Sequence, residues 1–220
     1  TSSRINQQDH SLLRNEWIEP EASSRIDTLS SPNLQYRGVP FWSWNDDITP
    51  EEARRQIRDL AAAGFGGFFI HARSGLKTPY MGDTWMDCIE ACVEESRLVG
   101  IKTWLYDENG YPSGFAGGNV PKRGLPFQQK HLHFEKIPAG DCVASAFLLG
   151  HFRCVGHGER VDPAMLAPEE PVLRATFSVN PYYSDLLNPD ATSVFIEESY
   201  EPYYCRFGQY FGKEISGIFT

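Results

Sequence analysis

The sequence lacks any long apolar run. The longest, Val143 to Leu149, is interrupted by Ser145 and falls far short of the roughly 20 residues that a membrane-spanning helix needs. No membrane span is expected. Lys and Arg form no cluster, and 20 basic against 29 acidic residues leave a formal net charge of −9. Nucleic acid and anionic membrane surfaces both require a basic footprint, so neither is an expected partner. The five cysteines, Cys88, Cys92, Cys142, Cys154 and Cys205, are odd in number and lack CxxC spacing. That argues against a disulfide framework or a zinc site and for free thiols, with Cys88 and Cys92 packed on the inner face of one helix. There is no internal repeat and no low-complexity tract. The N-terminus has no apolar signal core and also no initiator Met, so a removed leader is compatible with it. Location is therefore open, with a soluble, secreted or periplasmic protein all consistent.

What is present is a chain of 220 residues that is 41% hydrophobic and 13% aromatic. Such a chain folds and has ample core. Residues 1–35 are polar and broken by Glu19-Pro20-Glu21 and Ser30-Ser31-Pro32, and read as a surface arm. From Tyr36 the pattern changes. Val39 to Trp44 reads as a strand, after which Thr49-Pro50-Glu51-Glu52 supplies an N-cap, a proline at the first helical position and a capping-box Glu. The helix that starts there has Ala53, Ile57, Leu60 and Ala61 on its core face and Gly64 at its end. Gly67 to His71 is apolar without alternation, as expected of a strand buried on both faces of a parallel sheet. A second helix near Thr84–Val99 carries the inward stripe Trp85, Cys88, Ile89, Cys92, Val93 and Ser96, and Thr103 to Tyr106 is a third buried strand.

Strand, helix, strand, helix, strand with short connections implies right-handed βαβ units. Strand starts near 40, 67 and 102 approach the roughly 31 residues per unit of an eight-unit barrel of about 250 residues. The expected fold class is α/β, the first half of a TIM-type barrel. The next comparable strand, Ile215 to Phe219, comes late, so something is inserted. Lys130–Phe134, Cys142–Phe152 and Val172–Val179 alternate and are separated by Pro and Gly, the pattern of a small antiparallel β unit. The resulting division is an arm (1–35), barrel units (36–119), an inserted β subdomain (120–185) and a resumed barrel (186–220). Asn188-Pro189 opens the last helix, which Pro202 is expected to kink. Half a barrel leaves open edges, which implies a piece of a longer protein.

In a parallel barrel the ligand site is built at the carboxyl ends of the strands. That rule nominates Trp44 and Asn45, His71 and Arg73, and Asp107 and Glu108. Indole faces stack on the C–H side of a sugar, and amide, guanidinium and carboxylate groups hydrogen-bond its hydroxyls. The loop Tyr106 to Gly118 adds Tyr111 and Ser113 as binding candidates. Its two adjacent carboxylates, Asp107 and Glu108, could serve as a general acid, as hard-cation ligands, or as an N-cap or solvated turn. Arg73 could equally bridge to a barrel carboxylate, with His71 a hydrogen-bonded core residue. Trp42 shares a face with Trp44 and reads as core. His131 and His133 lack a third ligand and read as a surface β face. Gly64, Gly66 and Gly67 precede a strand rather than open a helix, which argues against a phosphate loop.

Three blocks in order, Tyr36 to Asn45, Gly64 to Leu76, and Tyr106-Asp107-Glu108 through Pro112 to Gly118, resemble the opening of the α-L-rhamnosidases of glycoside hydrolase family 106. The resemblance covers residues 34–119 and, more loosely, 185–220. It implies a large, multidomain, inverting glycosidase acting on plant or algal polysaccharides or glycosides; within the chain Glu108 and Asp107 are the catalytic candidates, with Glu108 either the acid or a sugar or cation ligand. Calcium in the site is a further implication of the resemblance; the residues alone indicate no cofactor. The resemblance also implies that the strand at 215–219 continues into an Asp-Glu-Pro, placing further catalytic carboxylates beyond Thr220. Two other readings stand beside it. One is a non-catalytic carbohydrate-binding protein. The other is a metal-dependent barrel lyase or isomerase with His71, Asp107 and Glu108 as ligands. The sequence fixes no oligomeric state.

Overall fold

The structure is a computed structural model that describes Leu29 and residues 31–220. The arm expected over residues 1–35 lies mostly outside the described residues. The chain divides at Arg37/Gly38. Before that point a 3₁₀ turn spans Leu34–Tyr36, and Arg37 Nε donates to the Pro32 carbonyl at 2.8 Å.

From Gly38 onward two sheets are present. The first is parallel and joins β1 (Phe41–Trp44), β2 (Gly67–Ala72), β3 (Lys102–Tyr106) and β8 (Ile215–Phe219) in that spatial order. The second is antiparallel and lies in sequence between β3 and β8. It joins β4 (Gln128–Pro138), β7 (Pro171–Ser184), β5 (Leu148–Arg153) and β6 (Arg160–Val161), again in spatial order. This is a mixed α/β architecture. The parallel sheet is open, and no closed barrel is formed by the described residues.

Helix α1 (Pro50–Ala62) starts where Thr49 Oγ1 accepts the Glu52 amide at 3.2 Å, with Pro50 at its first position. Helix α2 (Asp83–Val99) ends at Gly100, whose φ of 75° is the left-handed conformation that glycine adopts without strain. The two helices cover one face of the parallel sheet. Ala53 and Ile57 of α1 and Trp85, Cys88, Ile89, Cys92, Val93 and Ser96 of α2 are buried there, while Leu60 and Ala61 reach only half-burial. Between the helices Arg58 pairs with the buried Glu95 at 3.0 Å, and Arg54 pairs with Glu94 at 2.5 Å.

Strand alternation then decides which side chains face the helices. Trp42 and Trp44 do: Trp42 Nε1 donates to Gln56 at 2.8 Å, and Trp44, fully buried, meets Trp85 edge-on at 4.9 Å. The opposite face carries Phe41, Ser43, Phe69, His71, Trp104, Tyr106 and Phe219. Its rings form a continuous layer, with Phe41–Phe69 at 5.0 Å, Phe69–Trp104 at 5.1 Å and His71 stacked on Tyr106 at 4.1 Å. Gly217 is required in β8 because a Cβ there would lie 2.8 Å from the Trp104 ring.

The segment expected as one kinked helix is three pieces. Helix α3 (Pro189–Phe195), capped by Asn188, runs into a π-helical turn (Ile196–Tyr200) and then α4 (Glu201–Phe207). Pro202 stands in the first turn of α4, directly after the widened π turn, which absorbs the irregularity that the proline introduces. In the second sheet, residues 142–147 precede β5 rather than belonging to it.

Candidate functional site

The carboxyl ends of β1, β2 and β8 and the loop after β3 enclose an open cleft of about 300 Å³. Phe41, Ser43, His71, Arg73, Tyr111 and Phe219 line it. Of the residues nominated from the sequence, the structure brings His71, Arg73 and Tyr111 together here. Phe41, Ser43 and Phe219 were missed, although the alternation that pairs Trp42 with Trp44 also places Phe41 and Ser43 on the other face.

His71 is buried, held between the Tyr106 ring and the edge of Phe41 at 5.2 Å. Its Nδ1 has no hydrogen-bond partner among the described residues. Burial, with the Arg73 guanidinium adding to it, holds the imidazole below its ordinary pKa of 6.5. His71 is therefore neutral at pH 7. Arg73 begins the turn after β2. Its amide donates to the Trp44 carbonyl at 3.0 Å and its carbonyl accepts the Leu76 amide at 3.1 Å, while the side chain is exposed. Tyr111, 75% exposed, forms the rim.

The two carboxylates at the end of β3 are placed differently from an open acid. Asp107 is fully buried; its Oδ1 accepts Ser113 Oγ at 2.6 Å and its Oδ2 accepts Tyr200 OH at 2.7 Å. Its backbone carbonyl accepts the Ser199 hydroxyl. Glu108, also with no exposure, is enclosed by the loop that follows it. Oε1 accepts the amides of Asn109 and Gly117 at 2.8 and 2.6 Å, and Oε2 those of Gly114, Phe115 and Ala116 at 3.1, 2.9 and 2.7 Å. Burial pushes its pKa up, and the amides of Gly117, Asn109, Phe115 and Ala116 pull it back part of the way. Five converging N–H groups make this carboxylate the template on which residues 109–117 are wound. Gly114, at φ 126°, permits the winding: a Cβ there would lie 2.8 Å from Leu186 Cδ2.

Ser113, expected to bind ligand, instead anchors Asp107. It also lies on a second cleft, of about 170 Å³, with Gly114, Leu186, Ala191, Thr192, Phe195 and Thr220. Trp44, nominated as a sugar platform, is the opposite of exposed: it is packed against the helices and is not available for stacking. Asn45 is exposed but does not line the cleft, and Gly75 packs against its carbonyl. Tyr200 and Ser199 could not be nominated, because nothing local marks a partner so far along the chain from Asp107.

Calcium requires six to eight oxygen ligands. The Glu108 oxygens are taken by backbone amides and those of Asp107 by hydroxyls, and no group of three His, Cys, Asp or Glu side chains among the described residues could hold a metal ion. The residues present do not fit a calcium site, nor the His71–Asp107–Glu108 metal set of a lyase or isomerase. No helix of the described residues is long and apolar enough to cross a membrane.

No protein-family model matches the chain, and no curated protein matches it. Among solved structures it is similar to a rhamnosidase from a Novosphingobium species, with 21% sequence identity and a TM-score of 0.41 over 59% of this chain. The similar part spans 12% of that protein's length.

Proposed function

We propose that this chain forms one wall of the active site of an inverting glycoside hydrolase that removes L-rhamnose or a similar sugar from plant or algal polysaccharides or glycosides. The observation that carries the reading is the cleft at the carboxyl ends of the parallel strands. Exposed Phe41 and Tyr111 rings offer C–H stacking, and Ser43, His71 and Arg73 offer directional hydrogen bonds, the combination a polyol needs. The three sequence blocks that resemble the family 106 rhamnosidases supply the elements that build it. Completion of the open sheet into a barrel belongs to the same proposal.

An inverting mechanism uses two carboxyl groups roughly 6.5–9.5 Å apart, one protonating the leaving oxygen and the other activating water. Asp107 and Glu108 are consumed by internal hydrogen bonds, so in this reading they fix the shape of the wall. The acid and the base then come from outside the described residues. The test is hydrolysis of a chromogenic α-L-rhamnoside panel by the full-length protein, with the first-formed anomer identified by NMR. Release of the inverted anomer supports the proposal. Sugar binding without release from any member would favour a non-catalytic carbohydrate-binding protein, the reading to which the sequestered carboxylates also point.

A further inference from the structure

Arg73 lines the cleft without an anionic partner among the described residues. Among the described residues Arg54, Arg55, Arg58, Arg123, Arg153, Arg174 and Arg206 contact carboxylates within 4 Å, whereas Arg37, Arg97 and Arg160, none of which lines the cleft, do not. Arg73 makes no such contact with a described residue, although the chain carries a net charge of −9. No carboxylate lines the cleft it faces: at that end of the sheet Asp107 and Glu108 are turned inward and saturated, Asp46 is paired with Lys77 at 2.5 Å, and Asp47 accepts the Thr78 hydroxyl at 3.3 Å. The backbone around Arg73 is fixed by its bonds to Trp44 and Leu76, so the guanidinium starts from a constrained position. Beside it, His71 is buried, lines the same cleft and has an Nδ1 without a described partner.

We propose that His71 and Arg73 form a subsite for an anionic group of the glycan, so that the substrate class is an acidic oligosaccharide bearing a uronate carboxylate or a sulfate ester. The inference rests on the glycan-binding reading of the cleft. A guanidinium grips a carboxylate or sulfate through two parallel N–H donors, and a neutral sugar hydroxyl offers no such match.

The test is calorimetric titration of the full-length protein with three ligands: α-L-rhamnosyl-(1→4)-D-glucuronic acid, its carboxyl-reduced counterpart and methyl α-L-rhamnoside 3-sulfate. At least one anionic ligand is expected to bind about tenfold more tightly than the neutral disaccharide, with a preference that shrinks as salt is raised. Which of the two wins identifies the source of the charge. Arg73→Gln should erase the preference, and Arg73→Lys should retain only part of it, because an ammonium keeps the charge and loses the fork. Equal binding of acidic and neutral ligands overturns the subsite. So does a preference that survives Arg73→Gln in a variant whose melting temperature matches the parent. Charge-selective binding with no hydrolysis of any rhamnoside would instead remove the glycosidase reading and leave the subsite standing.

Discussion

The Tyr200 hydroxyl donates to Asp107 Oδ2 at 2.7 Å, joining the π-helical turn to the end of β3 across 93 residues of sequence. With Ser113 on the other oxygen and Ser199 on the backbone carbonyl, three hydroxyls from two segments hold one buried residue. The Asp107 carboxylate therefore sets the distance between the loop that bears Tyr111 and the helices that precede β8.

Removing one of these donors leaves a buried polar oxygen short of a partner. Tyr200→Phe is expected to cost about 1–3 kcal/mol in urea unfolding. A double-mutant cycle with Asp107→Asn should show coupling between the two positions, because both changes act on one interaction. Additive losses would mean that the bond contributes nothing in solution.

Glu108→Gln replaces one acceptor oxygen with an NH₂ group that faces backbone donors. The expected loss is about 3 kcal/mol or more, since hydrogen bonds to a charged acceptor are the stronger class and several are broken together. Amide exchange at Gly114, Phe115, Ala116 and Gly117 should accelerate well beyond exchange in β2. Unchanged protection at those four amides would contradict the template role.

For Trp44→Ala the expected cost is about 3–5 kcal/mol, the range for truncating a fully buried large side chain. Trp44→Phe should be milder and should leave sugar affinity where it was. A variant with parental stability and weakened sugar binding would return Trp44 to the cleft.

His71 gives the chain a pH dependence of known sign. Its folded pKa lies below the ordinary 6.5 through burial and the neighbouring Arg73, so the unfolded chain takes up the proton first as the pH falls. The stability that a neutral His71 contributes is complete above 6.5 and declines as the pH drops through that value toward the folded pKa. Unfolding free energies measured between about pH 7.5 and 5.5 should show this slope, and His71→Asn should flatten it. An identical slope in the variant would assign it to other groups.

Much of the fold is legible in the sequence because local rules and tertiary packing agree there. Thr49-Pro50 and Asn188-Pro189 cap helices where they stand, and the stripe from Trp85 to Ser96 points inward as its spacing requires. The face of β1 is illegible for a physical reason. Phe41-Trp42-Ser43-Trp44 is aromatic at both parities, so a period of two cannot say which pair meets the helices. The strand-end rule locates His71 and Arg73, yet it cannot tell an open carboxylate from one consumed by its own loop. The donors to Glu108 are backbone amides, which carry no side-chain signature, and the donor to Asp107 arrives from a distant turn.

The indole arrangement described for β1 and α2 also makes the protein report on itself optically. Trp42, Trp44 and Trp85 follow one another edge to face at 5.3 and 4.9 Å, close enough for their excited states to couple. Near-ultraviolet circular dichroism should carry a strong asymmetric band from this trio, and the part that comes from the Trp44–Trp85 pair should be lost as soon as α2 lifts from the sheet. The docking of one helix on one strand can thus be followed in real time without a label.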